Sequence, residues 1–313
     1  MHRIAYIIFL SILSFLPILA QNSSLRVVSY NVENLFDTQH DTLKNDSSFL
    51  PDGMHHWTYR RYQTKIERIA QVLVNIGGWE TLPLVGLCEV ENARCLRNLC
   101  YQLRRFHYKY LHYDSPDERG VDVALLFDST QITILNNQPL SLSLHGDATR
   151  DILYASALYH QRDTLHLLLC HLPSQLGGAS TSEWKRQRAK DLIQSRIDSI
   201  LLLQPNARII VMGDMNTSPQ NDLHGMTNMM LPLQQTGQGT HKHQGIWTCL
   251  DQFYVSSSLC PRATASIFSP QWLLEEDTKY LDYKPYRTYI GFRYHDGYSD
   301  HLPIVLDLVL EKE

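Results

Sequence analysis

The chain has 313 residues, with 28 Lys and Arg against 32 Asp and Glu and a formal net charge of −4 at pH 7. This mildly acidic balance excludes a protein built for tight, non-specific binding of nucleic acid, although it leaves room for a local basic surface beside a site. The length is enough for one large domain with a substantial core.

The N-terminal segment has the layout of a secretory signal peptide. A short basic start precedes an apolar run from Ile4 to Ala20, and a polar stretch begins at Gln21. We therefore predict a signal peptide at residues 1–20, cleavage near Ala20, and an exported protein, periplasmic or secreted. The apolar run is also marginal in length for a membrane span, so an uncleaved anchor is the alternative. After cleavage we expect residues 21–313 to form one catalytic domain with no integral membrane contact and no stable protein partner.

Strand-like runs outnumber helix-like segments. Runs rich in Val, Ile, Leu and Tyr predict strands at Leu25–Tyr30, Leu82–Glu89, Tyr108–Tyr113, Asp122–Phe127, Ile132–Leu135, Ile152–Tyr159, Thr164–His171, Ala207–Met212, Gln252–Val255 and Leu302–Val309. Apolar residues at three- and four-residue steps predict helices from Tyr59 to Ile76 and from Thr181 to Leu201, with a shorter one from Glu91 to Leu103. This pattern favours an α/β fold in which a two-sheet β-sandwich is flanked by helices on the outside.

Six cysteines permit disulfides in an exported protein, although a domain of this size does not need them. Cys88 and Cys170 lie inside apolar strand runs, which favours buried free thiols. Cys249 and Cys260 are the one pair worth testing, and the sequence leaves the pairing open.

Several predicted strands end on acidic or amide residues. Asn31 and Glu33 follow the first strand, Glu89 ends the second, and Asp214 and Asn216 follow the run that reaches Met212. Each alone is explained as a turn residue or helix cap. A carboxylate at the end of a buried strand is costly unless it is paired or binds a cation, so together these residues predict one active site assembled from strand ends.

Two strand-terminal histidines complete this set. His171 ends one apolar run, and His301 follows Asp300 directly before another strand. Histidines in such positions suit donation to phosphoryl oxygens. Asp251 precedes a strand and is placed to orient one of the two imidazoles, as carboxylates do for catalytic histidines.

Taken in order, these motifs resemble those of the endonuclease/exonuclease/phosphatase superfamily, which has the metal-dependent DNase I-like fold. The resemblance extends from about Arg26 to Val309 and rests on Asn31, Glu89, His171, Gly213–Asp214–Met215–Asn216, Asp251 and Ser299–Asp300–His301. The Gly-Asp-x-Asn and Ser-Asp-His elements are specific as a pair.

The resemblance implies a role for each matching residue. Glu89 would be the principal Mg²⁺ ligand, supported by Asn31, Glu33 and Asp300, with Mn²⁺ or Ca²⁺ as alternatives and the number of metals open. Asp214 would orient or deprotonate the attacking water and Asn216 would fix it. The phosphoryl oxygens would be contacted by His171 and by His301, which Asp251 would hold.

Three surface features bear on the substrate. Arg119 stands in the region where DNA-repair relatives use a tyrosine, and it is expected either to bind a phosphate or to be part of a surface turn. Basic residues recur along two helices, either as solvated faces or as tracks for a polyanion: Arg60, Arg61, Lys65, Arg68, Lys185, Arg186, Arg188 and Lys190. The aromatic stretch from Tyr280 to Tyr298 either stacks on substrate or packs its loop onto the domain.

The sequence therefore predicts an exported, Mg²⁺-dependent phosphoesterase that hydrolyses phosphodiester bonds by in-line attack of an activated water. An endonuclease acting on nucleic acid is the first choice, with DNA and RNA both open. The alternative is a sphingomyelinase-like or small-molecule phosphodiesterase or phosphatase. A catalytically inactive binding scaffold would be expected to lack Glu89, Asp214 or His301, and all three are present.

Overall fold

Two six-stranded sheets form the centre of the computed structural model, which describes residues 23–142, 149–174 and 179–310. The first sheet has the spatial order β13 (Ala263–Ile267), β18 (Ile304–Leu310), β1 (Ser23–Leu35), β2 (Leu84–Val90), β4 (Asp122–Asp128) and β3 (Tyr108–His112). The second has the order β5 (Ile132–Leu140), β6 (Ile152–Tyr159), β7 (Asp163–His171), β8 (Arg208–Asp214), β12 (Asp251–Ser256) and β9 (Met226–Asn228).

A parallel strand pair lies inside each sheet, and a helix crosses over between its two strands. Helix α1 (Tyr59–Gly77) connects the parallel strands β1 and β2, and α3 (Ala179–Leu203) connects the parallel strands β7 and β8. Parallel neighbours require such a crossover, and it places the polar residues that follow both strands at the same edge of a sheet. Helices α2 (Ala93–Gln102) and α4 (Leu231–Gln235) are shorter.

Local signals fix where α1 and α2 begin and end. The Thr58 side chain accepts a hydrogen bond from the Arg61 amide at the start of α1, and Gly78 closes that helix in the left-handed conformation at φ 60°. The Asn92 side chain caps the first turn of α2 by accepting from the amides of Arg94 and Cys95. These caps lie on the two helices that cover the first sheet.

The core has three apolar layers. The facing sheets bury residues such as Leu84, Leu169 and Met212 between them. Helices α1 and α2 cover the outer face of the first sheet, and α3 covers the outer face of the second through Ile193 and Ile197. The predicted α/β sandwich with outer helices is thus confirmed.

Several short elements were not predicted. Three two-stranded hairpins decorate the sandwich: β10 (His241–His243) with β11 (Ile246–Thr248), β14 (Leu274–Asp277) with β15 (Asp282–Pro285), and β16 (Tyr289–Ile290) with β17 (Arg293–Tyr294). Such two- to four-residue strands carry too little periodicity to be recognised from sequence.

The structure gives an outcome for the cysteines but not for the N-terminal segment. All six cysteines are free, so Cys249 and Cys260 do not form a disulfide; the Cys249 thiol contacts the Gln238 carbonyl at 3.4 Å. The predicted signal peptide at residues 1–20 lies outside the described residues. Among the helices of the described part of the chain, none is both long and apolar enough to cross a membrane.

Candidate active site

The polar residues at the strand ends meet where the two sheets face each other. In the second sheet, Asp214 pairs through the backbone with both His171 on β7 and Asp251 on β12. The first sheet contributes Asn31, whose side-chain amide crosses to Asp214 and donates to Oδ2 at 3.1 Å. Four of the predicted positions therefore form one continuous site that exists only when the sheets are packed together.

Asp214 lies at the centre of this site and is almost fully buried. Its Oδ2 atom is 3.5 Å from Nε2 of His171 and 3.9 Å from Nε2 of His301, while Oδ1 accepts the Asn216 amide at 2.8 Å. Burial raises the pKa of Asp214 to about 7, despite the opposing charge of His301. A carboxyl group that titrates near neutrality is suited to proton transfer.

His301 is held as a charged donor. Its Nδ1 atom lies 2.7 Å from Oδ2 of the fully buried Asp251, and its backbone amide donates to the Ser299 hydroxyl. Burial alone would lower the pKa of His301, but the carboxylates of Asp251 and Asp214 outweigh burial and raise it well above its ordinary value. The ring is therefore an imidazolium, which can donate a charge-assisted hydrogen bond from Nε2.

His171 has the opposite electrostatic environment. Burial, together with the positive charges of Arg119 and His301, lowers its pKa well below the ordinary value, so the ring is neutral. Its Nε2 atom lies between the carboxylates of Asp214 and Glu89, at 3.8 Å from Oε1 of Glu89. Its buried Nδ1 has no hydrogen-bond partner among the described residues. Arg119 lies 3.8 Å from Asp117, and its charge acts on the His171 ring through space.

Hard oxygen ligands lie on the first-sheet side. Glu89 accepts the Asn34 amide through Oε2 at 2.8 Å, and its Oε1 faces the Asn31 amide at 3.4 Å. Asp300 forms an ion pair with Arg287 at 2.7 Å. Carboxylate and amide oxygens are the donors that Mg²⁺ prefers. Glu89 and Asp300 supply carboxylates, and the amide oxygen of Asn31 accepts the Glu33 backbone amide at 3.0 Å and has one further lone pair.

Glu33 has a different position from the one that its predicted metal role implies. Both of its carboxylate oxygens accept backbone amides, from Thr288 at 2.7 Å and from Tyr289 at 3.3 Å. Burial and the nearby charge of Asp300 raise its pKa to about 7. The structure therefore places Glu33 as an anchor for the segment that precedes Asp300.

Four residues at this site have a left-handed backbone conformation. Glu33, Asn34, Glu89 and Asn216 all have positive φ values between 50° and 66°. Glu89 lies at an irregularity where the pairing of β2 with β4 shifts register between Cys88 and Val90. Non-glycine residues persist in the left-handed region only where surrounding structure enforces it, and such residues cluster at functional sites. Asn216 also donates from its side chain to the Leu172 carbonyl, which ties it to the residue after His171.

Two further residues at the site lacked a distinguishing signal in the sequence. The ring of His241 lies 4.9 Å from that of His301, and burial lowers its pKa to about 4. Lys65 is buried and donates to the Thr288 hydroxyl and to the Tyr298 carbonyl. The β10–β11 hairpin brings His241 to the site, and the packing of α1 brings Lys65 there. Both arrangements depend on contacts between distant parts of the chain.

The basic face predicted on α1 is mostly engaged by the chain itself. Lys65, Arg61 and Arg68 contact the segment from Tyr286 to Tyr298, with Arg61 stacked over the Tyr294 ring and Arg68 paired with Asp296. The aromatic stretch accordingly packs its loop onto the domain, one of its two expected roles.

Comparison with known proteins agrees with this geometry. The model of the Endonuclease/Exonuclease/phosphatase family matches residues 26–310. No curated protein sequence matches the chain closely enough to count as a relative. The solved structures below are all under 25% identical to this chain, so their likeness concerns the fold.

Truncated TDP2 from Caenorhabditis elegans gives a TM-score of 0.61 at 16% identity, over 92% of this chain and 98% of that one. TDP2 from D. rerio, complexed with single strand DNA product, gives 0.58 at 17% identity, over 91% and 99%. An endonuclease/exonuclease/phosphatase family protein from Bacteroides thetaiotaomicron gives 0.58 at 16% identity, over 94% and 100%.

The family model thus matches nearly all of the described chain, including the strands of both sheets that carry the candidate site residues. The chain belongs to the endonuclease/exonuclease/phosphatase family and is a metal-dependent hydrolase of phosphate esters.

Proposed function

We propose that this protein is an exported, Mg²⁺-dependent phosphodiesterase that cleaves nucleic acid by in-line attack of an activated water. The observation that carries the proposal is that an acidic group, Asp214, and a cationic group, His301, lie side by side at the centre of the site. Asp214 has a raised pKa of about 7, and its Oδ2 lies 3.9 Å from Nε2 of the imidazolium of His301. A proton acceptor beside a cationic donor is what hydrolysis of a phosphate diester requires.

Each residue then has a distinct task. The Asp214 carboxylate accepts the proton of the attacking water. The Asn31 side chain donates to Asp214 Oδ2 and so fixes the orientation of this carboxylate. His301 donates from Nε2 to a phosphoryl oxygen while Asp251 holds Nδ1. The neutral ring of His171 supplies a second hydrogen-bond donor to the phosphoryl oxygens. When bound by Glu89, Asn31 and Asp300, Mg²⁺ would supply charge neutralisation at the phosphoryl and leaving-group oxygens.

Nucleic acid is proposed as the substrate because positive charge and an exposed aromatic ring adjoin the site. Arg119 lies close enough to His171 to lower its pKa, and Arg287 pairs with Asp300. Phe292 is exposed at the tip of the β16–β17 hairpin and is followed by Arg293. Stacking on an aromatic side chain with arginine close by is a common mode of single-strand binding. The fold likeness to TDP2 complexed with single strand DNA product gives further support.

A lipid phosphodiester is the second candidate, and one observation favours it. Ile290 and Phe292 on the hairpin are exposed, as is Met54 in the segment before α1. His55 packs against Phe292, so Met54 lies close to this tip. A sphingomyelinase-like enzyme would expose such an apolar patch toward a membrane surface.

The first experiment measures cleavage of plasmid DNA and of a single-stranded oligonucleotide by the purified protein with Mg²⁺, with and without a chelator. The Asp214→Ala variant controls for contaminating nuclease. Cleavage that requires both Mg²⁺ and Asp214 supports the proposal. Cleavage of sphingomyelin vesicles or small phosphodiesters, with both nucleic acids intact, would replace nucleic acid as the substrate class.

Export rests on the signal-peptide pattern. Its test is N-terminal sequencing of the protein recovered outside the cytoplasm. A new N-terminus near Gln21 is expected, and an intact Met1 on a membrane-bound protein would favour the anchor.

A further inference from the structure

A second group of ligand-type side chains lies where β3 ends and β4 begins. It consists of His112, Asp114 and Asp122, each of which presents one ligand atom within 4.8 Å of the others. Nε2 of His112 is 3.6 Å from Oδ2 of Asp122, and Nδ1 of His112 is 3.8 Å from Oδ1 of Asp114. None of these residues belongs to the catalytic group around Asp214.

The histidine in this group is buried and its Nε2 is unsatisfied. The His112 side chain is only 4% exposed, and within the described residues Nε2 has no hydrogen-bond partner. A buried polar atom left without a partner costs about 1–3 kcal/mol, so such an atom calls for an explanation. Asp122 already uses Oδ1 to accept the amide and hydroxyl of Ser115, which leaves Oδ2 directed toward His112.

We propose that His112, Asp122 and Asp114 form a zinc site separate from the catalytic centre. Ligands in a tetrahedral zinc site lie about 2.1 Å from the ion, which places neighbouring ligand atoms about 3.4 Å apart. The 3.6 Å separation of His112 Nε2 and Asp122 Oδ2 matches this spacing. Asp114, whose side chain is 82% exposed, lies beside Nδ1 of the ring and would turn toward Nε2 to take the third position, with water in the fourth.

The surroundings favour zinc over magnesium or calcium. An imidazole nitrogen is a zinc ligand, whereas Mg²⁺ and Ca²⁺ select oxygen. Arg94 and Arg97 line the open depression beside His112 and Asp114, and Arg94 is partly neutralised by Asp37 at 3.4 Å. Their positive charge opposes any divalent cation, so the bonds from His112 and Asp122 must offset this repulsion.

This site would join the two ends of the loop at residues 113–121, which carries Arg119. The middle of the loop is already tied down by Lys44, whose ammonium group donates to the Ser115 and Asp117 carbonyls at 2.5 and 2.8 Å. Zinc would fix the loop at its base. Arg119 acts on His171, so the ion would stabilise the position of a charge beside the catalytic site.

The test is zinc binding by the purified, metal-stripped protein, measured by isothermal titration calorimetry. Co²⁺ serves as a second probe, because its visible spectrum reports tetrahedral coordination. Since the catalytic residues can also take up zinc, the readout is a difference: we expect the wild type to bind one more Zn²⁺ per chain than His112→Ala or Asp122→Asn. His107→Ala removes an exposed histidine at the other end of β3 and is expected to bind as the wild type does.

Two measurements decide the result if a core variant folds poorly. Asp114→Ala changes only an exposed residue and is expected to weaken the site by about tenfold or more, the scale of even outer-shell changes. Anomalous diffraction from a zinc-soaked crystal should place an ion between His112 and Asp122. Equal zinc stoichiometry and affinity in all these proteins, or zinc found only at the catalytic residues, would overturn the proposal.

Discussion

Replacing Lys65 by Met tests whether a buried cation organises the active site. Lys65 lies on α1 with 1% of its surface exposed, and its ammonium group donates to the Thr288 hydroxyl at 2.5 Å and the Tyr298 carbonyl at 2.6 Å. The carboxylate of Glu33 holds the same segment by accepting the Thr288 amide. Lys65 and Glu33 thus clamp the segment that leads directly into Asp300 and His301.

The expected cost follows from these contacts. Methionine preserves the apolar stem of Lys65 but removes two charge-assisted hydrogen bonds, each worth about 1.5–3 kcal/mol. Glu33 keeps its ion pair with Arg287, at 3.9 Å, and loses only the through-space attraction of Lys65. The two lost hydrogen bonds therefore set the cost, and we expect the free energy of unfolding to fall by about 3–6 kcal/mol. We also expect kcat to fall, because the clamped segment positions Asp300 and His301.

The assay is urea unfolding of four proteins: the wild type, Lys65→Met, Glu33→Gln and the double variant. Burial lowers the pKa of Lys65 to about 8 although Glu33 opposes it, so neutral pH keeps the amine charged. If the two residues form one unit, the double variant loses less stability than the sum of the single losses. A Lys65→Met loss below about 1 kcal/mol, the value of an exposed pair, would refute the reasoning.

Three shorter predictions concern titrating and hydrogen-bonding groups. Asp251→Asn should leave the fold intact, shown by an unchanged circular dichroism spectrum, and lower kcat by about 10³–10⁴-fold, because the His301 ring loses its orienting carboxylate. The rate should rise with pH, with its midpoint near pH 7, where Asp214 loses its proton, and a profile flat from pH 5 to 8 would contradict its role as base. Burial raises the pKa of Glu91 to about 8, so its ionised form destabilises the fold. In Glu91→Gln the side-chain oxygen can still accept the hydrogen bond from the Asp37 amide. The free energy of unfolding of this variant should exceed that of the wild type by about 1–3 kcal/mol at pH 8 and match it below pH 4.5.

Much of the site could be predicted because its residues lie at the ends of long apolar strands. Asp214 and His171 end β8 and β7, and Glu89 lies one residue before the end of β2. Asn31 is where the regular pairing of β1 with β2 stops. A hydrophobic run marks where a strand ends, and parallel neighbours bring those ends together. The two-sheet architecture followed from the same runs.

What could not be predicted depends on contacts between distant segments. The partners of Glu33 are backbone amides more than 250 residues away, and the spacing of acids in the sequence carries no sign of them. Lys65 and Arg68 have the pattern of a solvated basic face, yet Lys65 is buried because the loop that follows β15 folds over it. A charge pattern reports which face of a helix is polar, but it does not report what covers that face.

The core between the two sheets leaves little room for a side chain at Gly86, three residues before Glu89. A β-carbon there would lie 2.8 Å from Cδ1 of Leu169 and 3.2 Å from Cε of Met212, so the ends of these two side chains would have to move within a packed core. Overpacking of this kind costs about 1–3 kcal/mol. Gly86 does not have a positive φ, so a methyl group adds no backbone strain and its effect acts through packing alone.

Gly86→Ala should therefore lower the free energy of unfolding. We expect kcat to fall as well, because Met212 lies two residues before Asp214, which Asn31 must reach across the gap between the sheets. Gly77→Ala is the matched control: its added β-carbon would meet Leu82 at 3.5 Å, an ordinary contact, and neither quantity should fall. Urea unfolding and steady-state kinetics on both variants measure the two effects separately. If Gly86→Ala lost stability but kept full kcat, the catalytic geometry would be set within each sheet, and the packing between the sheets would be important only for folding.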